Sequence, residues 1–195
     1  MTAVEETIRQ RRSVRRFEDR EVPRELLLRV LEAARWAPSA MNRQPWHFVV
    51  VTAPERRAAL VQATEVAGIP LQRHVARAPV LIALCGDERK SGWYVHDCCL
   101  ASENLILAAT ALGLGTCWIG AFDEGKAASA LGLPEGVRVV GLLTLGFPKG
   151  QVSDASPRDK LEDMVHWEEF SAERANTRGR ASLWSLVRGG LRMLR

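Results

Sequence analysis

The sequence predicts an α+β fold, and three observations carry that reading. Apolar residues recur at helical spacing near the N-terminus, the runs HFVVV (47–51) and APVLIALCG (78–86) have strand character, and helical and strand-like stretches are interleaved along the chain.

Taken in order, Thr2 is placed to cap a first helix through about Gln10. A second helix runs from Pro23 or Arg24 to Trp36, with Leu26, Leu27, Val30, Leu31 and Ala34 on one face, and Pro38 stops it. HFVVV is continuously apolar after His47, which predicts a strand covered on both faces, and Pro54 then opens another helix. APVLIALCG reads as a second buried strand. Ser91 to Leu112 reads as a long helix, apolar on nearly every side beyond Asn104, and such a helix must be enclosed. Cys98, Leu105 and Leu112 form one seam of it, and Ala101, Ala108, Ala109 and Ala111 give small faces for close approach. A chain of this size can hardly surround that helix, so a dimer interface is expected there, with a central core helix as the alternative. TCWI (116–119) and VRVVGLLTLG (137–146) supply further strands, separated by a helix that Asp123 caps.

At 195 residues and 47% hydrophobic composition the chain can bury one substantial core, and no Gly, Ser or Pro linker divides it. The expected organisation is one domain over residues 1–170 and a basic tail over 171–195. From Ser171 onward six arginines stand against the single acid Glu173, which leaves 21 basic and 22 acidic residues elsewhere. The net charge of +4 therefore belongs to the tail, and no nucleic-acid-binding face is expected. The N-terminal MTAVEETIRQRRSVRRF has charges where a secretory signal needs an apolar run, so a soluble cytoplasmic protein is expected. Cys85, Cys98, Cys99 and Cys117 lie in apolar segments without metal-site spacing and are expected to be buried free thiols.

Three segments could carry chemistry. In RRSVRR (11–16) an extended backbone would turn Arg11, Ser13 and Arg15 toward one anion, because alternate residues share a face and guanidinium groups grip phosphate by paired hydrogen bonds; a solvated basic loop is the other reading. In APSAMNRQPWHF (37–48) two prolines fix a loop whose Ser39, Asn42 and Gln44 offer donors and acceptors for the polar edge of a flat heterocycle, or else satisfy their own backbone. LGLGTCWIGAF (112–122) is rich in glycine but runs from helix into strand, opposite to a dinucleotide fingerprint. Gly113 there is expected to end the long helix, and Gly120 would let the backbone from Trp118 to Ala121 approach a planar ligand.

RRSVRRF, PSAMNRQPWHFVVV, GLGTCWIGAF, and LGFP followed by PRDKLEDMVHW occur in the order and at the spacings of the nitroreductase family of flavoproteins, which this sequence resembles from residue 9 to about 168. The resemblance implies an α+β three-layer sandwich with a central mixed sheet flanked by helices, an interlocked homodimer, and FMN at the interface. By the same resemblance Arg11, Ser13 and Arg15, with Arg12 in contact distance, bind the phosphate and the pyrimidine side of the ring. Arg158 closes on the phosphate from the C-terminal side. Pro38, Ser39, Ala40 and Asn42 reach the flavin from the other subunit, while Trp118, Ile119, Gly120 and Ala121 lie along the isoalloxazine with the Gly120 amide donating to N5. Two departures stand out: Arg158-Asp159-Lys160-Leu161 replaces the usual R-K-P-L, and the segment between Gln62 and Ala78 lacks the acid, tyrosine and lysine set of halotyrosine-dehalogenating relatives.

The resemblance further implies NADH or NADPH as hydride donor and a small acceptor such as a nitroaromatic or a quinone, with the flavin carrying the chemistry and no catalytic side chain or metal required. Arg15 is expected to place a cation near the N1 and C2 carbonyl edge. His47, His74, His96 and His166 read as structural or surface residues, with Arg73 and His74 as further candidates for the flavin edge. Desaturation, reductive dehalogenation or flavin destruction, and a flavin-binding regulatory module with little turnover, are the competing functions. The tail ASLWSLVRGGLRMLR (181–195) places apolar residues among arginines as a membrane-surface helix would, but Gly189-Gly190 opposes a stable helix, and packing on a partner subunit or disorder is favoured.

Overall fold

The computed structural model describes residues 1–66, 69–70, 72, 74–152 and 155–171. The chain forms two compact units, Met1–Ala155 and Ser156–Arg195.

In the first unit, helix α1 (Ala3–Gln10) starts at a capping box: the Thr2 hydroxyl accepts from the Glu5 amide while the Glu5 carboxylate accepts from the Thr2 amide. Helix α2 (Arg24–Arg35) follows Pro23 and buries Leu27, Val30 and Ala34. Strand β1 (Trp46–Val51) leads to α3 (Pro54–Ala63), which has proline in its first turn. A two-residue pairing of β2 (Glu65–Val66) with β3 (Ile69–Pro70) comes next, then a 3₁₀ turn over Val75–Arg77. Strand β4 (Val80–Asp87) is buried at every residue. The long helix α4 (Tyr94–Ala111) ends at Gly113, whose φ is 74°. Strand β5 (Gly115–Ile119), helix α5 (Glu124–Leu131, capped by Asp123) and strand β6 (Val137–Gly146) complete the unit.

The sheet order is β1-β4-β6-β5, and every strand pairing in it is antiparallel. The expected mixture of directions comes from outside the four strands, in a parallel bridge between Ser13 and Thr116. The predicted layers are present. Side chains of α2 and α4 form one core cluster with Ile82, Leu84, Leu143 and Leu145, and side chains of α3 and α5 form a second with Leu81, Ala83, Cys85 and Leu142. This split follows from the strand period of two, since successive residues of β4 feed opposite layers.

Two expectations need correction. Strand β1 has cores on both faces, Phe48 and Val50 toward one and Val49 and Val51 toward the other, yet residues 48–50 are only partly covered and His47 is exposed, because β1 is the outer strand of the sheet. Cys85, Cys98 and Cys117 are buried, but Cys99 is exposed, on the side of α4 that also exposes Val95 and Glu103.

Candidate functional site

The segment after α1 is laid against the edge of β5. The Val14 amide donates to the Thr116 carbonyl at 2.7 Å, the Glu18 amide to the Phe147 carbonyl at 2.9 Å, and the Lys149 amide to the Arg16 carbonyl at 2.9 Å. Such close approach depends on Gly115, where a Cβ would come within 2.7 Å of the Val14 side chain. Val14 and Phe17 are buried as anchors, so alternation turns Ser13 and Arg15 outward.

The Cys117 thiol of β5 is buried. Burial raises its pKa, and the Arg15 charge, a hydrogen bond with Ser13 and the Arg11 charge each oppose that rise. Arg11 and Ser13 line one cleft with Thr116 and Trp118, while Arg15 is exposed and its Nη1 donates to the Ser13 carbonyl at 3.4 Å. Arg12 is turned differently: its Nη1 donates to the Arg9 and Arg11 carbonyls at 2.5 and 2.8 Å, at the C-terminal end of α1, where a cation is favoured.

A cleft of about 320 Å³ opens beside these residues, with Arg11, Ser13, Thr116 and Trp118 on one wall and Cys99, Ser102, Glu103 and Ile106 of α4 on the other. Trp118 owes its position to Gly141, since a Cβ there would overlap the six-membered ring of the indole. The register of β4 against β6 shifts at this point, with Leu84 opposite Gly141 and Cys85 opposite Val139. Ile119 is buried in the α3–α5 core, while Gly120 is exposed and the Ala121 carbonyl accepts from Gln72 Nε2 at 3.0 Å. The Gln72 bond ties the segment before the 3₁₀ turn to the end of β5. His74 lies on that segment with Nε2 buried and unbonded, and desolvation, then the Arg15 charge, lower its pKa. Arg73 lies outside the described residues.

Pro38, Ser39, Ala40 and Asn42 do not line this cleft. They form a separate loop in which Met41, Asn42 and Gln44 take φ of 49°, 54° and 47°. Positive φ is costly for residues with a Cβ, so surrounding contacts must hold the loop. The Ala40 amide donates to Asp97 Oδ1 at 3.0 Å, the Ser91 hydroxyl donates to Asp97 Oδ2 at 3.1 Å, and the Gln44 amide donates to the Ser39 hydroxyl at 2.9 Å. Asp97 is buried in the first turn of α4. Sequence reasoning missed it, although a carboxylate at the head of an otherwise apolar helix was a signal. It also missed the α4 wall of the cleft and the Gln72 tether. Arg158 belongs to the second unit, where its Nη1 donates to the Ser156 carbonyl at 2.9 Å.

The donor set fits a phosphorylated flavin: the Arg11 guanidinium and the Ser13 hydroxyl in one cleft suit a phosphate, and Trp118 gives the same cleft an aromatic side chain. Among the described residues no cluster of His, Cys, Asp or Glu could hold a metal ion, and no helix is long and apolar enough to cross a membrane.

The sequence profile of the nitroreductase family matches residues 8–147. A protein of Methanothermobacter thermautotrophicus, described as a candidate NADH dehydrogenase/NAD(P)H nitroreductase, is 39% identical over 85% of this chain and 86% of its own length. An NADH dehydrogenase of Thermus thermophilus is 31% identical over 80% of this chain and 92% of its own. Among solved structures, an FMN-dependent nitroreductase of Clostridium difficile superposes with a TM-score of 0.76 at 27% identity, over 84% of this chain and 98% of that one. With the profile covering well over half of the chain, the chain belongs to the nitroreductase family.

Proposed function

We propose that this chain is an FMN-dependent NAD(P)H oxidoreductase that reduces a small acceptor such as a nitroaromatic or a quinone. FMN supplies two-electron chemistry between nicotinamide and acceptor. The observation that carries the reading is the placement of Arg11 and Ser13 in one cleft with Thr116 and Trp118 of β5. Arg11 and Ser13 grip the phosphate through charge-assisted and neutral hydrogen bonds. Arg15 holds a positive charge toward the pyrimidine edge, where charge accumulates on reduction. Trp118 and the exposed Gly120 backbone line the ring, and Gly120 leaves its amide open to approach.

The working unit is a homodimer. The inner side of α4 is buried, but Val95, Cys99, Leu100 and Glu103 face outward, so the chain encloses its most apolar helix on one side only. The cleft of about 320 Å³ is at the small end of ligand pockets, roughly 300–1,000 Å³, and a second copy bringing Pro38, Ser39, Ala40 and Asn42 would complete it.

The test is anaerobic. Protein reconstituted with FMN is titrated with NADH and with NADPH while the flavin absorbance is followed, then reoxidised with a quinone or a nitroarene. Bleaching by a nicotinamide and stoichiometric recovery with the acceptor are expected; a chain that takes up no FMN refutes the proposal. Light scattering on the same sample should give twice the chain mass.

A further inference from the structure

The loop between α2 and β1 is strained and exposed, and a buried carboxylate holds it. Met41, Asn42 and Gln44 take φ of 49°, 54° and 47°, and the Met41 side chain at the tip leaves that residue 80% exposed. Backbone of this kind is costly for residues with a Cβ and persists only where the surroundings impose it. Among the described residues, the hydrogen bond that ties residues 38–44 to another element runs from the Ala40 amide to Asp97 Oδ1, 57 positions away, at 3.0 Å. Asp97 is 3% exposed and lies in the first turn of α4, where a helix favours negative charge. Its other oxygen accepts from the Ser91 hydroxyl at 3.1 Å, and the Ser91 oxygen accepts from the Trp93 amide at 3.1 Å. With one oxygen fixed by Ser91, the other is aimed at the loop. A carboxylate has no donor of its own to misdirect there.

Helix α4 thereby faces two places. Cys99, Ser102, Glu103 and Ile106 wall the cleft that holds Arg11 and Ser13 of the same chain. At the start of the helix, Asp97 holds a loop that does not line that cleft and that stands beside the exposed Val95 and Leu100. The loop is therefore at the margin of the apolar face that a second copy would cover.

We propose that Asp97 is a positioning residue for the flavin of the partner subunit: through the Ala40 amide it holds residues 38–44 of its own chain in the conformation that completes the other copy's cleft. This deepens the FMN and homodimer reading and rests on it. Each α4 then serves both cofactors, its own through the cleft wall and the other through Asp97.

FMN binding is read by fluorescence quenching, with the sites counted per dimer. Asp97→Ala should weaken FMN by about tenfold or more, because the bond to a charged acceptor is lost and the loop relaxes. Asp97→Asn keeps an oxygen for the Ala40 amide and turns a donor to the Ser91 oxygen, so it should bind FMN within about threefold of the wild type. The decisive measurement combines Asp97→Ala and Arg11→Ala chains in one hybrid dimer, isolated by two different tags. With the loop acting across the interface, the intact Arg11 of one chain meets the intact loop of the other. The hybrid should then bind one FMN per dimer at wild-type affinity, although either homodimer binds weakly. Hydrogen exchange of the wild type, which needs no variant, should slow in residues 39–44 on addition of FMN. A hybrid without a tight site, an Asp97→Ala homodimer that binds FMN as the wild type does, or exchange in residues 39–44 that FMN leaves unchanged overturns this inference and leaves the cofactor reading standing. A wild type that binds no FMN overturns the cofactor reading, and a monomeric wild type that binds it overturns the homodimer reading; either result takes this inference with it.

Discussion

Replacing Arg11 and Arg15 together by alanine should weaken FMN binding by roughly 150-fold. Charge-assisted hydrogen bonds contribute about 1.5–3 kcal/mol each. Arg11 is half-buried and lines the cleft, so about 2 kcal/mol is reasonable for it; Arg15 is exposed, and solvent screening brings it to about 1 kcal/mol. The sum of about 3 kcal/mol is a little over two decades in Kd at about 1.4 kcal/mol per decade. Among the described residues neither guanidinium makes an ion pair, so the double variant should keep its thermal unfolding within about 0.5 kcal/mol of the wild type. The assay is fluorescence quenching of FMN on titration with apo-protein at fixed ionic strength, repeated with riboflavin, which lacks the phosphate. Arg11→Ala alone should weaken FMN and leave riboflavin unchanged. A double variant that binds FMN within about threefold of the wild type would refute the phosphate placement, because the charge-assisted bonds at issue are each larger than that.

Gly141→Ala should displace the Trp118 indole, costing about 1–3 kcal/mol of stability by overpacking and weakening FMN at the same time; chemical denaturation and the quenching titration read both effects. Leu100→Glu should shift light scattering toward the single-chain mass, since it puts a charge on the outward face of α4, while circular dichroism keeps the helical content. Asp97→Ala should lower stability by about 2–4 kcal/mol, because it strips the acceptor from the Ala40 amide and the Ser91 hydroxyl, and chymotrypsin should then cut the loop around Met41 faster than in the wild type. Asp87 accepts from Arg89 through both carboxylate oxygens, at 2.9 Å each, which lowers its pKa from 3.8 to about 2. Its stabilising contribution is full above the ordinary pKa and is lost as pH falls through about 2, so acid unfolding of Asp87→Asn should lack that step.

The local elements were legible because their causes are local. Thr2 with Glu5, Pro54, Asp123 and Gly113 mark helix ends by their own backbone and side-chain chemistry, and the structure places those ends where the sequence puts them. The placement of Ser13 was half legible: alternation gives the face it shares with Arg11 and Arg15, but the partner at Thr116 is about a hundred residues away, and nothing near Ser13 names it. Strand β1 was misjudged in coverage because a continuous apolar run is also compatible with an edge strand whose outer flank is open. The β2–β3 pairing is two residues deep, too short for alternation to register. Positive φ at Met41, Asn42 and Gln44 could not be read from residue type, since only one of the three commonly tolerates it; tertiary contacts impose it. Cys99 faces the cleft for a similar reason, since the exposed side of α4 is fixed by where α2 and the sheet lie.

The site divides its hydrogen bonding in a way that explains why a ligand belongs there. Backbone groups of residues 14–18 are spent on β5 and on residues 147–149, which fixes the segment rigidly. The side chains of Arg11 and Arg15 are left without acidic partners among the described residues, although both charges bear on the same buried thiol. The bridge to Thr116 holds Ser13 in place beside them, so an anion meets donors on a backbone that is already fixed. An anion that binds the folded segment and not the unfolded chain links ligand affinity to fold stability. A solvated basic loop, the other reading of RRSVRR, would lack the bridge to Thr116 that holds Ser13 at the cleft.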